Sequence, residues 1–476
     1  MTTPSLRDEL AGDLPEFAST MARVIERAIL EIDSRPAFPS DPDSATRELD
    51  VPLPDEGAGT LAVLERLVDL NRQAGANLGG PRCFHFVIGG STPAALGADL
   101  LATVSETVTY AWVTSPLGVH LEVIALRWLR ELFRLPLEWT GVMVTGGTMA
   151  NFVGLAAGRQ WWGEQHGCDI AESGFVGLPA LPVLTSGYVH AATLKCLGLL
   201  GVGRANVQRI TRDGRGRLDL VAFEAALEAL GGQPALVVVN AGEVNAGDFD
   251  PTAEMIAIAR RHNTWVHVDG AFGLFARVSP RVAHLAEGVE LADSVAVDGH
   301  KWLNVPYDSG YAFVRDRDLM AKAFRYSADY LPESDPERPT MGAIAPESSR
   351  RGRSFAVWAT LAAYGRDGYR RIVEHCLDLA SHLAERAREE PELELLAEVQ
   401  LNIVAFRFVG EGVPEGDLGS LNERIAMGLL DAGEFMVGTS KLEDRVILRP
   451  AFSNWRTRIE DVDAFVEQVL EIGRRG

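Results

Sequence analysis

At 476 residues the chain is too long for one small core and implies a large domain with one or two smaller units. A composition that is 47% hydrophobic and 23% charged is that of an ordinary globular enzyme. The net charge of −21 argues against nucleic acid as a partner, because phosphates would be repelled.

The N-terminus, Met1 to Leu10, is polar and acidic, so no signal peptide is expected, and no run approaches the ~20 apolar residues of a membrane span. Residues 1–80 are expected to form a helical arm. Leu14, Phe17, Met21, Val24, Ile25 and Ala28 mark one helix, a Pro/Asp-rich link follows from Pro36 to Pro54, and a second helix covers Thr60 to Ala74. Such amphipathic pieces cannot build a core alone. They pack on a main domain or on a partner subunit.

Residues 81–360 are expected to form the large domain. A helix carries Leu121, Ile124, Ala125, Trp128, Leu129 and Leu132, then Gly141 to Thr145 reads as a strand followed by Gly146-Gly147 and a helix through Ala157. Further strands are expected at Val183–Ser186, Ala235–Asn240, Thr264–Asp269, Asp293–Val297 and Gly310–Val314. Continuous apolar strands separated by helices predict an α/β fold, a mostly parallel sheet covered on both faces. Residues 361–476 read as a smaller α+β domain, with a helix from Arg366 to Glu389, strands at Asn402–Val409 and Val446–Leu448, and a last helix marked by Val462, Phe465, Val466, Val469 and Leu470.

Four cysteines, Cys83, Cys168, Cys196 and Cys376, show neither C-x-x-C nor metal-site spacing, which suggests reduced thiols in the cytoplasm and no metal site. Neither a Walker loop, a G-x-G-x-x-G fingerprint nor H-E-x-x-H is present, which sets aside a P-loop enzyme and a zinc hydrolase.

The chemistry-bearing residues fall at strand ends. Gly146-Gly147-Thr148 joins a strand to a helix, where free N–H groups and a hydroxyl suit a phosphate. His190 follows the strand and turn ending at Val189, and Asp269 closes the strand Trp265–Asp269. A buried carboxylate needs a cationic partner. Lys301 follows Ser294–Val297 in the run Asp298-Gly299-His300-Lys301-Trp302. Shielded from water, a lysine there gives up charge and its neutral amine can attack an aldehyde. Each residue alone has a commoner meaning: a surface lysine, a capping aspartate, a structural histidine.

Their order along the chain resembles the pyridoxal-phosphate-dependent group II amino-acid decarboxylases, the family of aromatic-L-amino-acid, histidine and glutamate decarboxylases. The run His300-Lys301-Trp302-Leu303-Asn304-Val305-Pro306-Tyr307-Asp308 carries most of the resemblance. Ser115-Pro116 with Leu121-Glu122, and Pro346-Glu347 with Ser349-Arg350-Arg351, add to it. The resemblance implies the type I, aspartate-aminotransferase-like fold and a homodimer with shared active sites. It implies pyridoxal 5'-phosphate held through a Schiff base to Lys301, with Asp269 on the pyridine nitrogen and Ala271 against the ring. His190 would stack on the other ring face and handle protons. Gly147, Thr148 and His300 would bind the phosphate, with Asp298 beside it. Phe86, Val87 and Tyr110 match positions that line the family's substrate pocket.

Three positions depart from the family pattern. Gly242-Glu243-Val244-Asn245 replaces a Gly-Thr-Thr segment before Phe249-Asp250, so Val244 supplies no hydroxyl, and Asn245 is the substitute at hand. Asp298 stands where many relatives carry Asn. A loop tyrosine that protonates the carbanion in aromatic-amino-acid decarboxylases maps near Met341, and Leu331 to Ser349 contains no tyrosine, although Tyr326 and Tyr330 lie just before. The leading expectation is decarboxylation of an L-amino acid to its amine. The alternatives are oxidative decarboxylation–deamination to an aldehyde, transamination or a lyase step, and then a non-catalytic scaffold. Phe86, Tyr110 and Trp112 suggest an apolar or aromatic substrate side chain, and Arg456 a carboxylate contact.

Overall fold

The computed structural model describes residues 6–47, 49–326, 329 and 335–475. The arm is helical, with α1 at Leu6–Glu31 and α2 at Thr60–Ala74. No residue of α2 is buried, and on α1 Leu14 and Leu30 are 60% and 74% exposed. Arg456 is tied to this arm through Asp33, 3.0 Å away, so its charge is met there.

A seven-stranded sheet forms the centre. Its strands are β1 Thr140–Val144, β2 Val183–Thr185, β3 Val207–Arg209, β4 Ala235–Asn240, β5 Thr264–Asp269, β6 Ser294–Asp298 and β7 Gly310–Val314, in the order β1-β7-β6-β5-β4-β2-β3. β3, β2, β4, β5 and β6 pair in parallel, and β7 is antiparallel to both β6 and β1. β4 to β7 are buried along their whole length, as expected of strands covered on both faces.

One covering helix, α3, spans Pro116–Phe133, and another, α4, spans Gly147–Gln165, well beyond the predicted end at Ala157. Two glycines let α4 lie close to β5. A Cβ at Gly154 would sit 2.5 Å from His267 Nδ1, and one at Gly158 would sit 2.7 Å from Trp265 Cδ1.

The C-terminal part carries a second sheet, β8 Leu393–Leu395, β9 Phe406–Phe408, β10 Thr439–Leu442 and β11 Arg445–Leu448, antiparallel in the order β10-β11-β9-β8. The strand predicted over Asn402–Val409 is shorter than expected. Its first half meets the chain after β11 through single bonds, Val404 N to Pro450 O and Phe452 N to Asn402 O, and Pro450 has no N–H to extend a ladder. The helix predicted from Arg366 starts earlier, at Ser354, and bends at Gly365, whose φ is +59°. No helix among the described residues is long and apolar enough to cross a membrane.

The two short motifs around Glu122 and Arg350 meet as a buried ion pair. Arg350 Nη2 is 2.9 Å from both Glu122 oxygens and each side chain is 1% exposed. Arg350 also donates to the Met143 and Thr109 carbonyls, and Glu122 accepts the Met143 N–H. The pair clamps α3, β1 and the segment after residue 340 together. Removing one partner strands a buried charge. Arg350→Leu is therefore expected to cost about 3–5 kcal/mol, whereas Arg212→Ala, at an exposed pair, should cost under about 1 kcal/mol. Denaturant midpoints of the two variants check this.

Candidate active site

The parallel strands share a direction, so their carboxyl ends stand along one edge of the sheet, where α/β proteins build their sites. Asn240, Asp269 and Asp298 end β4, β5 and β6 there, with Asn240 in register with Asp269. β1 ends beside them and leads into α4. A cleft above this edge is lined by Gly147 and Thr148 of α4, by His190, by Asp269 and Ala271, and by Asp298 and Lys301. The sequence-predicted lysine, aspartate, histidine and phosphate-loop residues therefore converge on one cavity.

Asp269 is held by three donors. Its Oδ2 accepts Asn151 Nδ2 (3.1 Å) and Thr193 Oγ1 (2.8 Å), and its Oδ1 accepts the Ala271 N–H (3.3 Å). The amide of Asn151 has a single workable orientation. Its Nδ2 faces two acceptors, Asp269 and the Gly147 carbonyl at 3.0 Å, so its Oδ1, 2.7 Å from His267 Nε2, must accept. His267 is buried and desolvation lowers its pKa to about 4, which makes it neutral. Its one proton is then on Nε2, and Nδ1 accepts from Ser294 Oγ at 2.8 Å. Ser294 Oγ in turn accepts the Trp265 indole N–H at 3.1 Å. Trp265, Ser294, His267 and Asn151 thus form a polar chain through the core that aims a donor at Asp269.

Lys301 lies on the single turn Gly299–Trp302. Its Nζ is 3.8 Å from Asp298 Oδ2 and 5.5 Å from the centre of the Phe272 ring. His300 stacks on Tyr307 with ring centres 3.8 Å apart and its Nδ1 lies 3.0 Å from Asp298 Oδ1. His190 caps the helix α5, Ala191–Leu199, by accepting the Ala192 N–H at Nδ1 (3.2 Å). Desolvation holds its pKa below the ordinary histidine value against the opposing charge of Asp269. A neutral imidazole with Nδ1 so engaged carries its proton on Nε2.

Other expected residues lie elsewhere. Val87 is buried in the hydrophobic core, and Phe86 presents an exposed ring stacked on His85, with φ +59°. The Tyr110 carbonyl accepts the Gly342 N–H. None of these three is among the residues lining the cleft. Val244 lines it without a hydroxyl. Asn245 does not substitute: its Oδ1 accepts the Ser440 hydroxyl, toward the second sheet. Met341, near the position expected for the loop tyrosine, is buried, and the Tyr326 hydroxyl is paired with Ser348 Oγ at 2.6 Å. Tyr330 and residues 331–334 are outside the described residues.

Sequence reasoning missed several residues at the site. Asn151 and Thr193, which grip Asp269, follow the Gly-Gly-Thr and His190 positions by one helical turn, and that spacing was the available signal. Arg449, just after β11, had no local signal. It is buried and donates to the carbonyls of Val244 (2.8 Å) and Phe86 (3.2 Å), and desolvation lowers its pKa to about 10.

The cleft suits pyridoxal phosphate. No side chain caps the start of α4, so its first N–H groups remain available to an anion. An amine and a hydrogen-bonded carboxylate face the same cavity. Comparison with known proteins agrees. Residues 42–409 match the family described as the pyridoxal-dependent decarboxylase conserved domain. An aromatic-L-amino-acid decarboxylase of Bacillus atrophaeus is 26% identical over 89% of this chain and 87% of its own length. An L-2,4-diaminobutyrate decarboxylase of Rhizobium meliloti (strain 1021) is 29% identical over 89% of this chain and 84% of its own. The structure of Oryza sativa TDC with PLP and tryptamine superposes with a TM-score of 0.90 at 23% identity, covering 100% of this chain and 99% of that one. That of Rhodiola rosea 4-hydroxyphenylacetaldehyde synthase gives 0.84 at 21%, covering 98% of each.

The chain belongs to the pyridoxal-dependent decarboxylase family. It is an α/β enzyme of the type I fold, a carboxy-lyase that uses pyridoxal phosphate. Leaving Asp269 short of one donor should loosen it. Thr193→Val is expected to weaken pyridoxal-phosphate binding about tenfold, read by titrating the apoprotein with the cofactor.

Proposed function

We propose that the protein decarboxylates an L-amino acid to the corresponding amine, with Lys301 as the residue that binds the cofactor's aldehyde as a Schiff base. The observation that carries this reading is the convergence of Lys301 and Asp269 on one cleft beside the open helix start of α4. When bound, pyridoxal phosphate supplies an electron sink for the bond broken at Cα. Asp269, fixed by Asn151 and Thr193, would hold the proton on the pyridine nitrogen. Gly147, Thr148 and His300, with the first N–H groups of α4, would bind the phosphate, and Ala271 would lie against the ring. His190 would stack on the opposite side and hold a transferable proton at Nε2.

A second reading, oxidative decarboxylation–deamination to an aldehyde, has a specific observation behind it. Near the expected position of the loop acid the chain has a buried methionine, Met341, and Tyr326 is engaged with Ser348. One fold neighbour is by name a 4-hydroxyphenylacetaldehyde synthase. Relatives are named for aromatic, diamino and acidic amino acids, so a pool of all three classes is the right starting substrate. The expected result is CO2 and amine in equal amounts without oxygen uptake. Oxygen consumption with equal ammonia and aldehyde would replace the first reading by the second. Lys301→Ala is expected to abolish turnover and the cofactor's yellow colour.

The working unit is proposed to be a homodimer with shared sites, in which Phe86, Val87 and Tyr110 border the substrate. Supporting it are an arm whose α2 has no fully buried residue and apolar side chains left in the open, such as Leu53 at 93% and Val104 at 82% exposed. Light scattering should give twice the 51.6 kDa of one chain; a fully active monomer would end the shared-site idea. Four unpaired cysteines suit a reducing compartment, the cytoplasm.

A further inference from the structure

A single helical turn is too short to hold itself in place, and the one that carries Lys301 spans only Gly299–Trp302. Carbonyls of this turn and of the residues after it are taken up by distant parts of the chain. The Gly89 N–H donates to His300 O at 3.2 Å, the Tyr369 hydroxyl to Leu303 O at 3.0 Å and the Thr92 N–H to Asn304 O at 2.9 Å. The Lys301 carbonyl is bonded by a side chain, that of Asn304, whose Nδ2 lies 3.2 Å from Lys301 O and 2.8 Å from Ser453 O. Asn304 is wholly buried and its amide has one workable orientation: Nδ2 faces two carbonyls, and Oδ1 accepts the Trp455 N–H at 3.2 Å. Its φ is +55°, a left-handed conformation that asparagine tolerates better than most side chains. The fit around it is close, since a Cβ on Gly89 would run into both the Lys301 carbonyl and the Asn304 amide. The segment that Asn304 grips is itself tied down. Asn454 donates to the carbonyls of Gly79 (3.0 Å) and Gly80 (2.9 Å), and the Trp455 indole to that of Ser91 (3.1 Å).

We propose that Asn304 is a positioning residue for Lys301: by bonding the lysine's carbonyl to the Ser453–Trp455 segment, it fixes the backbone from which Nζ reaches the cofactor's aldehyde. This rests on the reading of Lys301 as the aldehyde-binding residue and deepens it. A lysine's four-carbon stem is flexible and does not aim itself, so the backbone beneath it must be held. Asn304 is not among the residues lining the cleft, and its effect therefore passes through the lysine. Without the amide, the buried carbonyls of Lys301 and Ser453 lose a donor and the turn is free to shift. A displacement of about 1 Å in a reacting group is enough to cost on the order of a hundredfold in rate. The contacts available to the ring and phosphate sit on α4, β5 and the start of α5, and stay as they are.

The test compares pyridoxal phosphate with pyridoxine 5'-phosphate, which has the same ring and phosphate and an alcohol in place of the aldehyde. The ratio of their affinities for the apoprotein isolates the bond made by the lysine. Asn304→Gly keeps the left-handed backbone and removes the amide. It is expected to lower the ratio about tenfold and to change pyridoxine 5'-phosphate affinity by less than about twofold. Asn304→Asp, which keeps the size and the oxygen facing Trp455 but loses the donor, should give the same selective loss, and it serves where glycine loosens the fold. In a Lys301→Ala background there is no amine to position, so Asn304→Gly should cost under about twofold in pyridoxal-phosphate affinity. A purely structural role would weaken both ligands together. That result, an unchanged ratio in both variants, or an equal cost in the Lys301→Ala background would overturn the proposal while leaving the cofactor reading intact. A Lys301→Ala protein that keeps the parent ratio would remove the lysine reading and this proposal with it.

Discussion

A carboxylate placed inside a protein must be paid for by its neighbours, and the site is organised around that demand at Asp269. Two side chains and one backbone N–H fix its oxygens. Behind them, a neutral histidine, a serine and a tryptophan hold Asn151 in the orientation that donates rather than accepts. A buried polar chain of this kind is useful only when every member is satisfied, and here each has a partner. No cation is ion-paired with Asp269 among the described residues, which leaves the carboxylate ready for a cation that arrives with a ligand.

The same constraint shapes the other end of the cleft. The start of α4 is bare of side-chain caps, and Gly147 lets it settle against Asp298. Sheet topology brings the two ends together. With β5 and β6 parallel and adjacent, Asp269 and Asp298 end on one edge, and β7 running the other way opens onto the turn that carries Lys301.

Much of this was legible in the sequence because the informative residues sit at strand ends, where a short apolar run and a change to polar residues are adjacent in the chain. Asp269 and Lys301 are of this kind, and so are the parallel strands of the large sheet. What stayed hidden depends on contacts between distant segments. The sequence displays Glu122 and Arg350 but not that they form one buried pair. His267 and Asn151, or Arg449 and Val244, are joined only by folding. Asn245 was misread because a side chain's direction in a loop is set by what packs there, in this case Ser440. The strand over Asn402–Val409 was drawn too long because apolar alternation persists where Pro450 interrupts its partner.

Gly154 and Gly158 fit the flank of α4 against His267 and Trp265, and this has a geometric result. Gly147, at the uncapped start of α4, and Asn151, gripping Asp269, are four residues apart on that same helix, a rise of about 6 Å. The helix is therefore a ruler: it sets the span between the two ends of whatever lies in the cleft, and the glycine flank keeps the ruler from tilting.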